Sequence, residues 1–100
     1  MNYFSFQETG IVGLHVIERT RSDDSRGFLE RLFCLETLTP FLKGKIIRQI
    51  NRTLTRKKGT VRGLHFQYQP HGETKIVTCL KGKVWDVVVD LRKGSSTFLK

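Results

Sequence analysis

The chain has 100 residues, room for one domain, which is read as a single unit over 1–100. A hydrophobic content of 38% with ten aromatic residues excludes disorder, and no apolar run reaches the roughly 18–20 residues needed to cross a bilayer. Eighteen Lys and Arg against nine Asp and Glu leave a net charge of +9, which favours an anionic partner, either nucleic acid or a phosphorylated small molecule.

The N-terminus, Met1 to Phe6, lacks the basic region and apolar core of an export signal, so a cytoplasmic location is expected. After a flexible start, residues 10–19 alternate loosely and predict a strand in which Leu14 and Val16 oppose His15 and Ile17, with His15 a surface residue. Residues 21–27 are polar and turn-forming and predict a loop. Residues 28–35 read as a strand interrupted by Arg31. Residues 36–43 hold one short helix at most, since Pro40 sits too deep for a long one and Gly44 is a natural stop. Residues 45–54 return to strand, with Gln49 and Asn51 sharing a parity and hence a face. Residues 55–59 form a basic turn within the densest positive cluster, Arg52, Arg56, Lys57, Lys58 and Arg62; its ordinary meaning is a solvated loop, and a phosphate contact comes second.

Residues 61–68, 75–80 and 83–91 read as three consecutive strands. They are separated by the Gln69-Pro70-His71-Gly72 break and the Lys81-Gly82 turn, an arrangement that argues for a meander and against a βαβ unit. In the third run Val84, Asp86, Val88 and Asp90 share one face, and Trp85, Val87, Val89 and Leu91 the other. A half-polar inner face suits a barrel that holds a ligand, although two aspartates that simply face water would give the same pattern. Residues 92–97 are a polar turn, and Phe98-Leu99 looks like the opening of a further strand.

Cys34 and Cys79 read as free, buried thiols, and no CxxC or His/Cys cluster has zinc spacing, so no metal is expected. Arg62, His65 and Lys75 combine two cations with a group that titrates near neutrality, a set able to hold an anion and move a proton on it. The bland alternative is two solvated cations and a hydrogen-bonded strand histidine. Arg62 and His65 are three apart and face opposite sides of a regular strand; a bulge at Gly63 would turn both inward.

Several segments together resemble the dTDP-4-dehydrorhamnose 3,5-epimerase family, the RmlC-like cupins. They are the runs from Asp24 to Phe28, Arg48 to Asn51, Gly59 to Gln67, Lys75 to Val77, Gly82 to Arg92 and Ser96 to Phe98. The resemblance covers nearly the whole chain, and the segments RGLHFQ and DVVVDLR are its specific part. It implies an all-β jelly-roll barrel, incomplete in this chain. It also implies a metal-free, cofactor-independent homodimer whose N-terminal strand is often exchanged between subunits.

The implied substrate is a dTDP-4-keto-6-deoxy-hexose, epimerised at C3 and C5. Both carbons flank a ketone, so a base forms an enolate there if the developing charge is held. By the resemblance His65 is the general base and Lys75 the cation beside the ketone. Arg62, Gln49 and Asn51 contact the sugar, and Arg26 grips the nucleotide portion, where a guanidinium suits phosphate. The family's glutamate contact falls on Arg31 here, with Glu30 one residue earlier. Its proton-donor tyrosine and histidine-orienting carboxylate are expected beyond this chain's end, with Asp86 a substitute partner for the histidine. Two other readings stand beside it: a non-catalytic half-barrel that binds sugar nucleotides or dimerises, and a basic nucleic-acid-binding β-domain in which Phe66, Tyr68 and Trp85 stack bases.

Overall fold

The computed structural model describes residues 3–100; Met1 and Asn2, part of the stretch read above as lacking an export signal, lie outside the described residues. The start of the chain is a strand, contrary to the flexible beginning expected. β1 (Phe4–Glu8) pairs antiparallel with β2 (His15–Arg19), in a register that runs from Phe4 opposite Arg19 to Glu8 opposite His15. The polar side chains at Ser5 and Gln7 had masked an alternating Phe4/Phe6 face. Thr9 organises the connection: its hydroxyl accepts from the Ile11 amide at 3.1 Å and donates to the Leu14 carbonyl at 2.9 Å.

The expected polar loop at 21–27 is a tight hairpin. β3 (Ser22–Asp24) and β4 (Gly27–Leu29) are antiparallel, with Asp24 opposite Gly27. Asp24 Oδ1 accepts the Arg26 amide at 2.8 Å, the local bond that makes Asp a turn former, and Gly27 takes φ 139°, a value that suits glycine. The strand expected over 28–35 therefore stops at Leu29.

α1 (Leu35–Leu42) matches the predicted window 36–43 to within one residue at each end. Cys34 occupies its N-cap with extended φ/ψ, and the first helical bond runs from the Leu38 amide to the Cys34 carbonyl at 3.0 Å. Pro40 sits inside and withdraws one donor; Lys43 and Gly44 then take positive φ, 51° and 77°, and end the helix. Leu38 and Leu42, one turn apart, are buried with Phe4, and these three form the buried apolar core. Phe41 stacks on Phe6 at 4.5 Å, which seats the helix on the β1–β2 sheet.

From residue 45 onward the expected strands at 45–54, 61–68, 75–80 and 83–91 form no ladder among the described residues. A strand exists only with a neighbour to bond, and these runs find none beyond a single bridge at Asp90. Their apolar residues are correspondingly exposed, Val61 at 86% and Trp85 at 92%. The polar turn after them holds one closed cluster. Asp90 bridges Phe98 in a parallel sense, and its carbonyl accepts the Leu99 amide at 2.8 Å. The molecule is thus all-β with one short helix, two small antiparallel sheets and no closed barrel among the described residues.

Candidate functional site

Arg26 lies on the β3–β4 turn, largely in solvent, with its guanidinium 2.7 Å from Asp24 Oδ2. That guanidinium, together with the backbone amides of Arg26 and Gly27, holds the Asp24 carboxyl below its ordinary range. A phosphate would have to compete with Asp24 for Arg26. Gln49 and Asn51 are exposed on the segment after α1. Arg62 donates through Nη2 to the Leu54 carbonyl at 3.3 Å, which folds 54 back towards 62.

Gly63 takes φ 95°, where a Cβ is disfavoured, and a Cβ built there would lie 3.2 Å from His65 Nδ1. The histidine ring therefore leans back over the glycine. The expected bulge is absent because this run pairs with no strand, so the turn at Gly63 comes from backbone conformation alone. His65 is exposed. Lys75 is 3.9 Å from Glu73 and, alone of the seven expected site residues, lines the larger cavity.

That cavity, about 610 Å³, opens between β2, α1 and the 74–79 segment. Its charged lining is Arg19, Glu30, Lys43, Lys45 and Lys75, a cationic excess suited to an anion. Arg19 is its anchor: half-buried, it pairs with Glu30 at 2.9 Å and donates to Thr78 Oγ1 at 3.2 Å. Lys45 donates to Thr74 Oγ1 at 2.8 Å across the same wall. Glu30, one place from the family's glutamate position, is thus held by Arg19.

Asp86 is exposed and lines a second cavity of about 480 Å³ together with His15, Val77 and Val88. His65 does not line that cavity, so the structure does not bring Asp86 and His65 together there. His15 lines both cavities and packs edge-on against Phe41 at 4.6 Å. It was expected at the surface; the face of β2 is reversed, with Val16 outside and His15, Ile17 and Arg19 half-buried, because α1 covers that side. The signal in the sequence was the i, i+2, i+4 series His15, Ile17, Arg19, which ends on a cation able to reach Glu30.

Asp90 is the second departure. Read as part of a half-polar inner face, with facing water or pairing with a basic strand as the alternatives, it is 5% exposed and bonded within its own turn. Its carboxylate accepts from Arg92 Nε at 2.9 Å, and from the hydroxyls of Ser95 and Thr97 at 2.6 Å each. These donors, Arg92 first, hold its pKa far below the usual carboxylate range, and Asp90 in turn raises that of Arg92. The run Asp90-Leu91-Arg92 followed by Ser95 and Thr97 carries the needed donors at turn spacing. Cys34 and Cys79 are both free, but Cys79 is exposed, on the unladdered run 75–80. The Thr37 hydroxyl, 3.4 Å from Cys34 Sγ, lowers that thiol's pKa. Among the described residues no three His, Cys, Asp or Glu side chains gather as a metal site, and no helix is long and apolar enough to cross a membrane.

The fold and the cationic cleft define a partial cupin-type domain, a set of small antiparallel sheets left open on one side. The model of the dTDP-4-dehydrorhamnose 3,5-epimerase family matches residues 8–100, and the chain belongs to that family. A dTDP-4-dehydrorhamnose 3,5-epimerase of Sinorhizobium fredii is 36% identical over 95% of this chain and 49% of its own length. One from Mycolicibacterium smegmatis is 39% identical over 92% of the chain and 46% of its own. A dTDP-4-dehydrorhamnose 3-epimerase of Streptomyces niveus is 38% identical over 89% and 43%. The chain spans about half the length of the curated relatives it matches. No solved structure matches it.

Proposed function

We propose that the chain is the base-bearing portion of an epimerase that acts on a dTDP-4-keto-6-deoxy-hexose. The observation that carries this reading is the family match over residues 8–100, which takes in every residue to which a role is assigned. In the proposed step His65 takes a proton from the carbon beside the ketone. The C–H electron pair moves to the carbonyl oxygen, and Lys75 holds the resulting enolate. A proton then returns to the opposite face of the same carbon, so nothing is oxidised or reduced. Arg62, Gln49 and Asn51 bind the sugar, Arg26 the nucleotide phosphates. The protein works as a cytoplasmic homodimer without a cofactor.

The relatives' names cover both a 3,5-epimerase and a 3-epimerase, so one or two carbons are within reach of the same site. The test is deuterium uptake from D₂O into dTDP-4-dehydro-6-deoxy-glucose, followed by NMR, beside His65→Ala. Uptake that falls by about 10²–10⁴-fold in the variant is expected for a positioned base. Equal uptake in both proteins removes His65 from the role. A second reading, a half-barrel that binds without turnover, is favoured by one observation: only Lys75 of the proposed residues lines the cavity. Binding of dTDP with no uptake, from folded protein, would establish it.

A further inference from the structure

The cavity beside α1 gathers charge that the roles assigned above do not use. Arg19, Lys43, Lys45 and Lys75 line it against Glu30, four cations to one carboxylate and so a net +3. Arg19 is the half-buried member, its side chain 19% exposed, while the three lysines are exposed. Its guanidinium has five N–H donors and two partners among the described residues. Glu30 Oε1 lies 2.9 Å from Nη2, and Nη1 donates to Thr78 Oγ1 at 3.2 Å. A guanidinium drawn out of water with donors to spare is the arrangement that an oxyanion completes. Lys45 Nζ donates to Thr74 Oγ1 at 2.8 Å. Thr74 and Thr78 are four residues apart with Lys75 between them, a span of at most about 14 Å. Arg19, Lys45 and Lys75 therefore stand along one short wall, although they come from three separate parts of the chain. A net +3 is more than a monoanion neutralises, whereas a phosphate group brings about −2. The buried Phe4, Leu38 and Leu42 also line the cavity and offer apolar surface to the organic part of such a ligand.

We propose that Arg19 and Lys45 bind the sugar-side phosphate of a nucleotide sugar, with Glu30 the positioning residue that holds Arg19 for it. The inference deepens the proposed function and rests on its substrate class. In that reading Lys75 holds the ketone oxygen, and the diphosphate is carried across the same sugar ring. A ligand whose ketone meets Lys75 thus brings its nearer phosphate to the wall that Lys75 shares with Arg19 and Lys45. Arg26 lines neither cavity, and its guanidinium is 2.7 Å from Asp24 Oδ2 on the outer β3–β4 turn. It is left to the phosphate on the nucleoside side, so the two phosphates are divided between two grips. Arg19 presents a planar fork to its phosphate and Lys45 a point charge.

Thymidine diphosphate and thymidine monophosphate, titrated calorimetrically into the full chain, separate the two grips, because only the diphosphate carries the sugar-side phosphate. Lys45→Gln alters an exposed side chain outside the Phe4, Leu38 and Leu42 core. It should weaken the diphosphate at least about tenfold and leave the monophosphate within about twofold. Lys45→Arg keeps the charge and should restore the diphosphate to within about threefold of the parent. The paired change Arg19→Gln with Glu30→Gln removes the cation without stranding its carboxylate, and should reproduce the selective loss. Inorganic diphosphate should compete with thymidine diphosphate, and the Lys45-dependent part of the affinity should shrink as salt is raised. Parent-like diphosphate affinity in Lys45→Gln and in the paired variant overturns the proposal, as does an equal loss of both nucleotides. Either result leaves the epimerase reading to stand or fall on His65-dependent deuterium uptake. Inorganic diphosphate that binds through Lys45 while neither nucleotide binds overturns the proposal together with the substrate class it rests on. No binding of any of the three probes overturns it outright.

Discussion

Asp90 shows how a single side chain closes a turn that is otherwise polar chain. Its carboxylate gathers Arg92, Ser95 and Thr97 while its carbonyl holds the Leu99 amide. A carboxyl with a depressed folded-state pKa contributes stability that is fully present above the ordinary aspartate range. That contribution drains away as pH falls below the range towards the folded value. Acidification from about pH 5 towards pH 2 should therefore open the 90–99 turn. Asp90→Asn should do so at neutral pH, because an amide brings two donors to a site already crowded with donors. The check is exchange of the Leu99 amide, expected to accelerate at least about tenfold in the variant; unchanged protection would deny Asp90 this role. Gly63 makes a different demand. Its φ of 95° is strained for alanine, and the His65 ring, 3.2 Å from a would-be Cβ, would have to shift. Gly63→Ala should cost about 1 kcal/mol and move the His65 imidazole resonances. A His65 spectrum identical to that of the parent would show that the backbone there is not held by the glycine.

At the scale of elements, α1 is held more by its face than by its ends. Leu38 and Leu42 are buried and Phe41 stacks on Phe6, while the N-cap is a cysteine with no capping bond. The Cys34 backbone already has the extended conformation of a cap, φ −141° and ψ 115°. Cys34→Ser should therefore add an acceptor for a free N–H of the first turn and stabilise the helix by about 0.5–1 kcal/mol, read as a rise in denaturant midpoint. No rise would mean that a serine hydroxyl, placed where the Thr37 hydroxyl already contacts Cys34, does not reach a first-turn N–H. This helix was legible in the sequence because its signals are local: Pro40 limits it and Gly44 stops it. The hairpin at 22–29 was not, since its strands carry Ser22, Asp23 and Asp24, residues that read as loop until the Asp24–Arg26 turn is seen to bring the two arms together. The sidedness of β2 was missed for a related reason. Both faces of residues 14–19 carry apolar residues, and what decides between them is α1, twenty residues further on.

The whole molecule divides in the same way. Between β1 and α1 each element has a neighbour; beyond residue 45 the chain has strand-like composition and no strand. Alternation and β-branching mark a residue as fit for a sheet, but pairing is a property of two strands, and no local pattern reveals whether the second is at hand. The candidate site inherits this limit. Its residue types and order were legible, and Lys75 does reach the cationic cavity; Arg62, His65, Gln49 and Asn51 sit on runs whose direction is set by no ladder. A chain built this way should not unfold as one unit. Phe4–Glu8, His15–Arg19 and Leu35–Leu42 lie in the paired sheet and the helix and pack around Phe4, Leu38 and Leu42. The amides of 61–68 and 83–91 are bonded to no neighbouring strand. Hydrogen exchange by mass spectrometry should therefore separate the isolated chain into a protected region up to Leu42 and a region from Ile46 to Val89 that exchanges within about tenfold of the unfolded rate. Leu38→Ala, which removes a side chain 2% exposed, should cost about 2–5 kcal/mol and erase the first region's protection while leaving the second unchanged. If both regions lost protection together, they would share one cooperative core, and strand pairing beyond residue 45 would have to be present in the isolated chain.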